Sequence, residues 1–217
     1  ALHIWPKLPA GKLYARPGPM MARSNEVTVT VTGKSVHLSR AQEGRDALAA
    51  GAEYLRRAYA MADALPPEEL RVLRFGRMVS GTVRNAVSGE TRLEGSLRTY
   101  RDETQARCRR GLEAVAREIE EETGCGVEVC LSPGYPAVWN HEGLFETVQK
   151  ALGEPSLLEA PALTAEDFSF YQRHAPGVLF FLGAGDIPEL HSPEFCFDDE
   201  TVLPQGVEFL KRLLMLA

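Results

Sequence analysis

Asn25-Glu26-Val27-Thr28-Val29-Thr30-Val31-Thr32 decides the fold, because its alternation is strict. Val27, Val29 and Val31 point to one side of an extended chain and Thr28, Thr30 and Thr32 to the other, as in a half-buried strand. Gly33 ends it. Outward from there, residues 43–64 carry Ala47, Leu48, Ala50, Gly51, Tyr54, Leu55, Ala58 and Met61 at helical spacing, and Pro66-Pro67 stops that helix. Leu70 to Val79 and Thr91 to Tyr100 return to alternation, joined through a turn around Ser88-Gly89. Asp102 to Thr123 puts Leu112, Val115, Ala116 and Ile119 on one helical face, with Gly124 where a left-handed C-cap belongs. Val127 to Leu131 closes the series. Residues 25–132 thus read βαββαβ, which predicts a ferredoxin-like α+β domain: an antiparallel sheet with two helices on one face.

The flanks have another rhythm. Residues 1–24 are rich in Pro and Gly, and the chain opens at Ala1, without an initiator Met, on residues that already read as buried strand. After Pro133-Gly134-Tyr135-Pro136, helical stretches at about 141–152, 165–174 and 201–216 alternate with short apolar strands such as Gly177 to Leu182. Thr164 is a ready N-cap for the second of these helices. This is the pattern of an α/β sheet covered by helices. No helix–strand pairs precede residue 24, so 1–24 and 133–217 are expected to form part of an α/β domain into which 25–132 is inserted.

Composition narrows the function. The 217 residues are 44% hydrophobic and 25% charged, an ordinary balance for a globular protein, with a net charge of −6. A pI near 5.5 argues against nucleic acid or an anionic membrane as the main partner, since both need a basic surface. No run approaches the roughly 20 apolar residues of a membrane span, and no charged-then-apolar leader is seen. Cys108, Cys125, Cys130 and Cys196 contain no CxxC and no zinc-finger spacing, so free thiols in a reducing cytoplasm are expected.

Only five histidines exist. His3, in Ala-Leu-His-Ile-Trp-Pro, is either a core histidine bonded to a backbone carbonyl or a ligand. His191 follows the Gly183-Ala184-Gly185 loop after a buried strand, where active sites are built, with a surface histidine as the alternative. His37, on the turn after the first alternating strand, is by spacing alone a solvated residue, and His141 and His174 suit helix ends. Glu166-Asp167 begins a predicted helix, where the macrodipole favours acids, and paired carboxylates at such a junction also suit a catalytic cleft. GxSxG, P-loop and GxGxxG motifs in a supporting context are absent, against serine esterases, NTPases and dinucleotide enzymes.

Taken in order, Ala-Leu-His-Ile-Trp-Pro (1–6), Arg-Pro-Gly-Pro-Met-Met-Ala (16–22), Gly-Lys-Ser-Val-His (33–37), Gly-Thr-Val-Arg-Asn (81–85), Leu-Glu-Gly-Ser-Leu-Arg-Thr (93–99), Ala-Glu-Asp-Phe-Ser (165–169), Phe-Leu-Gly-Ala-Gly (181–185) and Leu-His-Ser-Pro-Glu-Phe (190–195) resemble the M20 peptidase family. More narrowly, they are similar to its branch of hippurate hydrolases, N-acyl-amino-acid deacylases and auxin-conjugate hydrolases. The resemblance implies an α/β metallohydrolase domain with a ferredoxin-like lid that makes homodimers. It implies two divalent ions, Zn²⁺ or Mn²⁺, with His3 and His191 as two of their ligands. It puts His37 and Asn85 at lid positions that reach a substrate in the partner subunit, and Glu166 and Asp167 near the cleft. The implied reaction is metal-dependent hydrolysis of an amide bond in an N-acyl amino acid or small peptide-like substrate. The alternative is a dimerisation or regulatory module of the same descent without catalysis. The family's Cys-x-His motif and adjacent Glu pair have no match in these residues, so the chain is expected to correspond to the C-terminal portion of such an enzyme. Glu120-Glu121-Glu122 reads as a solvated helix face. Val36 and Leu38-Ser39 stand where the family commonly has small Gly and Ala residues.

Overall fold

Valines alternating with threonines on one strand need an apolar layer on one side only, and the structure supplies it: Val27 is 1% exposed and Val29 and Val31 0%. The computed structural model describes residues 1–153 and 155–216. It divides into a split unit, Ala1–Ala22 with Pro136–Ala217, and an inserted unit, Arg23–Tyr135. The split unit begins with β1 (Leu2–Trp5), β2 (Leu13–Ala15) and β3 (Gly18–Met21). The inserted unit follows as β4 (Arg23–Thr32), α1 (Ala47–Asp63), β5 (Arg71–Ser80), β6 (Glu90–Thr99), α2 (Asp102–Thr123) and β7 (Gly126–Leu131). The split unit resumes with β8 (Val138–Asn140), α3 (Glu142–Leu152), β9 (Ser156–Leu157), α4 (Phe168–Tyr171), β10 (Phe180–Gly183) and α5 (Asp199–Leu214).

The inserted unit is the ferredoxin-like fold. Its sheet runs β5-β6-β4-β7, every pair antiparallel, with Val29 opposite Leu93 on one side and Val129 on the other. The valine face meets Tyr54, Ala58, Leu112 and Ile119 of the two helices in one apolar cluster. Gly51 lets α1 lie close: a Cβ there would stand 2.6 Å from the Thr91 methyl. Helix α1 starts at Ala47 rather than near residue 43, because the Asp46 carboxylate accepts from the N–H groups of Leu48 and Ala49. Helix α2 ends at Gly124, at φ +68°, as the sequence predicts.

The other end of α1 is held by a residue whose role the sequence pattern does not reveal. Its last turn contains no basic residue to meet the carbonyls at and just beyond its end. Arg71, at the start of β5, donates from Nε to Ala62 O (2.8 Å), from Nη1 to Pro66 O (2.7 Å) and Glu69 O (3.0 Å), and from Nη2 to Asp63 O (3.2 Å) and Leu65 O (2.7 Å). All five guanidinium N–H groups are thereby used, and the charge lies at the negative end of the helix dipole.

In the split unit, the sheet runs β1-β10-β2-β9, with β1 parallel to β10 and β2 antiparallel to it. The apolar run ending in β10 is buried on both faces: Phe180 and Leu182 join Leu13, Phe145, Val202 and Phe209, while Leu179 and Phe181 join Met20, Met21 and Val138. A separate ribbon pairs β3 with β8. The helix expected over 165–174 is shorter: α4 covers Phe168–Tyr171, Thr164 does not cap it, and Asp167 at the N-cap makes no side-chain cap bond. Gln172 explains the stop, since Nε2 donates to Trp139 O and Gly177 O and Oε1 accepts from Trp139 N. Pro176 then disfavours helix at the residue before it. Among the described residues no helix is long and apolar enough to cross a membrane, and all four cysteines are free.

Replacing Arg71 by Met should destabilise the inserted unit by about 2–4 kcal/mol, since hydrogen bonds to a charged group contribute roughly 1.5–3 kcal/mol each and do not add fully. Arg71→Lys, with three donors at most, should fall between. Urea unfolding midpoints of the three proteins check this, and equal midpoints would contradict it.

Candidate metal centre and lid loops

His3 lies on β1 opposite Phe181 of β10. Its Nδ1 is 2.6 Å from Ile4 O. A carbonyl oxygen only accepts, so Nδ1 carries a proton, and in the neutral ring Nε2 is the nitrogen with the lone pair. Nε2 lies 3.8 Å from Glu166 Oε2, with the two side chains 34% and 22% exposed. The ring meets Trp5 edge-on at 5.7 Å, and Trp5 in turn stacks on Phe181 at 3.8 Å. The two readings open for His3 in the sequence are therefore not exclusive. The carbonyl bond is the kind of contact that sets a ligating imidazole's tautomer.

Glu166 sits just before α4, where its Oε1 accepts from Phe168 N (3.4 Å) while Oε2 turns to His3. Asp167 is exposed beside it. His191 lies on the exposed loop between β10 and α5, at φ +66°. Among the described residues only Lys7 shares that left-handed backbone without being glycine. Such strain gathers at functional sites.

The donor types suit a borderline divalent ion. Zinc takes imidazole nitrogen and carboxylate oxygen at about 2.0–2.2 Å, so donors 3.8 Å apart can both reach an ion between them. Among the described residues no group of three or more His, Cys, Asp or Glu side chains gathers at one place. The split unit therefore brings together two donors, His3 and Glu166.

His37 and Asn85 belong to the inserted unit, on the loops that leave the same end of its sheet. The 33–46 loop leaves β4 and the 81–89 loop joins β5 to β6. The loops are tied together: Leu38 N donates to Asn85 O (3.1 Å), Val87 N to Val36 O (2.8 Å) and Gly33 N to Gly89 O (2.9 Å). His37 pairs with Ala86 across this bridge, which brings it beside Asn85, and both are exposed. A 430 Å³ cleft, lined by Ser35, Gly81, Thr82, Ala86, Arg77 and Arg92 among others, opens next to them. Its two arginines both bond Glu94, at 2.6 and 2.9 Å, and hold that carboxyl below the usual carboxylate range.

His37 also caps the short 3₁₀ segment Leu38–Glu43, with Nδ1 accepting from Ser39 N (3.2 Å) and lying 2.9 Å from Ser39 Oγ. His141 does the same for α3, accepting from Leu144 N at 3.2 Å. His174 is exposed after α4. Sequence reasoning missed the pairing of Glu166 with His3 and the contact of Ser39 with His37. The first depends on a long-range contact, but the second was signalled by Ser39, two positions after His37, at a site where the family commonly has a small residue.

Comparison with known proteins identifies the family. Residues 1–216 match the peptidase family M20/M25/M40. The N-acetyldiaminopimelate deacetylase of Lacticaseibacillus casei (strain BL23) is 30% identical over 210 residues, covering 94% of this chain and 55% of that protein. A solved structure from methicillin resistant Staphylococcus aureus, named as an aminohydrolase, superposes with a TM-score of 0.91 at 25% identity, covering 100% of this chain and 57% of that one. The Bacillus subtilis YXEP protein, described as a dinuclear metal binding peptidase of the M20 family, superposes with a TM-score of 0.79 at 23% identity, over 99% of this chain and 56% of that one. The chain spans about half the length of the curated relatives it matches. By sequence along its whole length, the chain belongs to peptidase family M20/M25/M40.

Proposed function

We propose that the whole protein is a metal-dependent amidohydrolase acting on N-acyl amino acids or small peptide-like substrates, and that this chain supplies part of its metal centre together with its lid. The single observation that carries the reading is the His3–Glu166 pair, an imidazole whose Nδ1 proton is held by a backbone carbonyl and whose Nε2 lies 3.8 Å from a carboxylate oxygen. Similarity to an N-acetyldiaminopimelate deacetylase favours a substrate that carries an acylated amine. His3 and Glu166 are the residues that would hold metal, with Asp167 next to Glu166 in the chain, and His191, which the structure does not bring to them, is the further ligand that the family resemblance implies. Two divalent ions, Zn²⁺ or Mn²⁺, would when bound polarise the amide carbonyl and lower the pKa of a bound water toward neutrality. His37 donates a hydrogen bond to the oxygen that gains charge as the amide carbonyl is attacked, a group aimed at charge that exists only in the transition state. Asn85 orients the substrate through its side-chain amide. Lid and metal centre meet across a homodimer, each lid serving its partner's cleft.

The dimer reading has its own support. Strand β5 is an edge of the inserted sheet, and edges invite pairing. Tyr59 Oη blocks the Phe75 N–H at 2.9 Å, but beyond the bulge at Phe75/Arg77 the edge is open. Val79, Val83, Leu48 and Leu38 are 47%, 58%, 50% and 51% exposed around that end, beside Asn85 and His37. The opposite edge, β7, exposes Gly126, Glu128 and Cys130 instead. Two-fold pairing through β5 would cover this apolar end with a second copy of itself.

Release of amino acid from N-acyl amino acids by the whole protein should stop on chelation and return with Zn²⁺ or Mn²⁺. His191→Ala should lower metal content and rate together. Hydrolysis that survives complete metal removal would overturn the reading, and a metal-replete protein inactive on a panel of such substrates would favour the non-catalytic alternative.

Light scattering of this chain at tens of micromolar should give about twice its 23.9 kDa mass. Val83→Glu with Leu48→Glu should return it to monomer, because charge at a buried pairing edge is left unpartnered. A monomer mass for the unmodified chain would exclude pairing through β5.

A further inference from the structure

We propose that Ser39 is a positioning residue that fixes His37 as the Nε2–H tautomer. The inference deepens the proposed role of His37 and rests on it for its catalytic meaning, though the tautomer itself stands on geometry alone.

Two groups of Ser39 reach His37 Nδ1: the backbone N–H at 3.2 Å and the hydroxyl at 2.9 Å. The hydroxyl could donate or accept, but the amide can only donate. Nδ1 must therefore present a lone pair, and the ring proton of the neutral imidazole goes to Nε2, on the far side of the ring. The hydroxyl then donates to the same lone pair and adds a second tether. His37 itself is extended at φ −60°, ψ 140°, as an N-cap residue is, so its backbone is compatible with the contact without strain. Leu38 N bonded to Asn85 O holds the turn in place from the other loop.

The contrast with His3 gives the arrangement its meaning. At His3 a carbonyl acceptor puts the proton on Nδ1 and leaves Nε2 as a lone pair, the state a metal ligand needs. At His37 an amide donor does the reverse and leaves Nε2 as a donor, the state an oxyanion stabiliser needs. The groups placed at Nδ1 of each histidine select the protonated nitrogen that its proposed task requires, and at His37 the Ser39 hydroxyl shares that role with the amide. An imidazole with no such contact exchanges its proton between the two nitrogens, and part of the population is then unable to donate from Nε2.

The test uses ¹⁵N-labelled chain and long-range ¹⁵N–¹H spectra of the imidazoles at about pH 9, above the ordinary histidine range near 6.5. In the unmodified chain, His37 Nδ1 should resonate as an unprotonated, pyridine-type nitrogen and Nε2 as a protonated, pyrrole-type one. Ser39→Ala, which keeps the amide but removes the hydroxyl, should move the two His37 signals toward each other. Ser39→Thr should restore them. His141, whose Nδ1 is capped by Leu144 N, is the unmoved reference of the split unit, and unchanged backbone amide shifts along β4 to β7 report that the inserted unit is intact. A His37 proton on Nδ1, or His37 signals indifferent to Ser39→Ala while His141 is unchanged, would overturn the proposal. The spectra need neither metal nor substrate, so an error in the catalytic role of His37 leaves this result standing, and the reverse.

Discussion

Everything that can be said of the lid loops depends on one strand that must bury one face and leave the other open. Strand β4 pairs with β6 over ten positions and with β7 over six, so its register is fixed from both sides. A slip by one residue would turn Val27, Val29 and Val31 toward solvent and bring threonines under the helices, with three large side chains lost from the core. Fixing that register also fixes the height at which β4 ends, at Thr32 opposite Glu90 and Gly126. The 33–46 and 81–89 loops therefore leave the sheet at one end and meet, and His37 comes to lie beside Asn85 although 48 positions separate them in the sequence (85 − 37).

The same logic tells why some of this was legible and some was not. Alternation and helical spacing are local, so the βαββαβ order, helix α2 from Asp102 to Thr123 and its Gly124 cap could be read directly. The short strands β2, β3, β8 and β9, of two to four residues, carry too little pattern to be seen, and the first three exist because β10 and its neighbours bury both faces. Helix α1 begins at Ala47 because Asp46 caps it, and Glu43-Gly44-Arg45 before the cap hold no apolar position of the helical face. The segment 165–174 has helical spacing, but the long-range bonds of Gln172 to Trp139 and Gly177 cut it short. Arg71 was invisible for a related reason: in Leu-Arg-Val-Leu-Arg-Phe it looks like any polar residue of an alternating strand, yet it holds five carbonyls.

At the candidate site, residue identities were legible and residue states were not. His3, His37, Asn85, Glu166, Asp167 and His191 could be named from ordered motifs. Which nitrogen of the neutral imidazole carries its proton is set by the groups at Nδ1, Ile4 O for His3 and the amide and hydroxyl of Ser39 for His37. Spacing says nothing about such contacts. They nonetheless decide whether a histidine can bind an ion or donate to an oxyanion, which are opposite requirements on the same atom. The left-handed backbone of His191 is likewise a feature of the folded chain alone.

In the proposed function one copy's lid serves the substrate in its partner's cleft, and subunit mixing tests whether it does. In the whole protein, His37→Ala and His191→Ala subunits are prepared separately, the first losing roughly 10²–10³-fold in kcat as the homodimer and the second losing metal and activity together. Mixed dimers should regain activity, because one of their two clefts has an intact His191 and receives an intact His37 from the other subunit. Mixed dimers, shown to have formed, that remain as inactive as either parent would contradict the account.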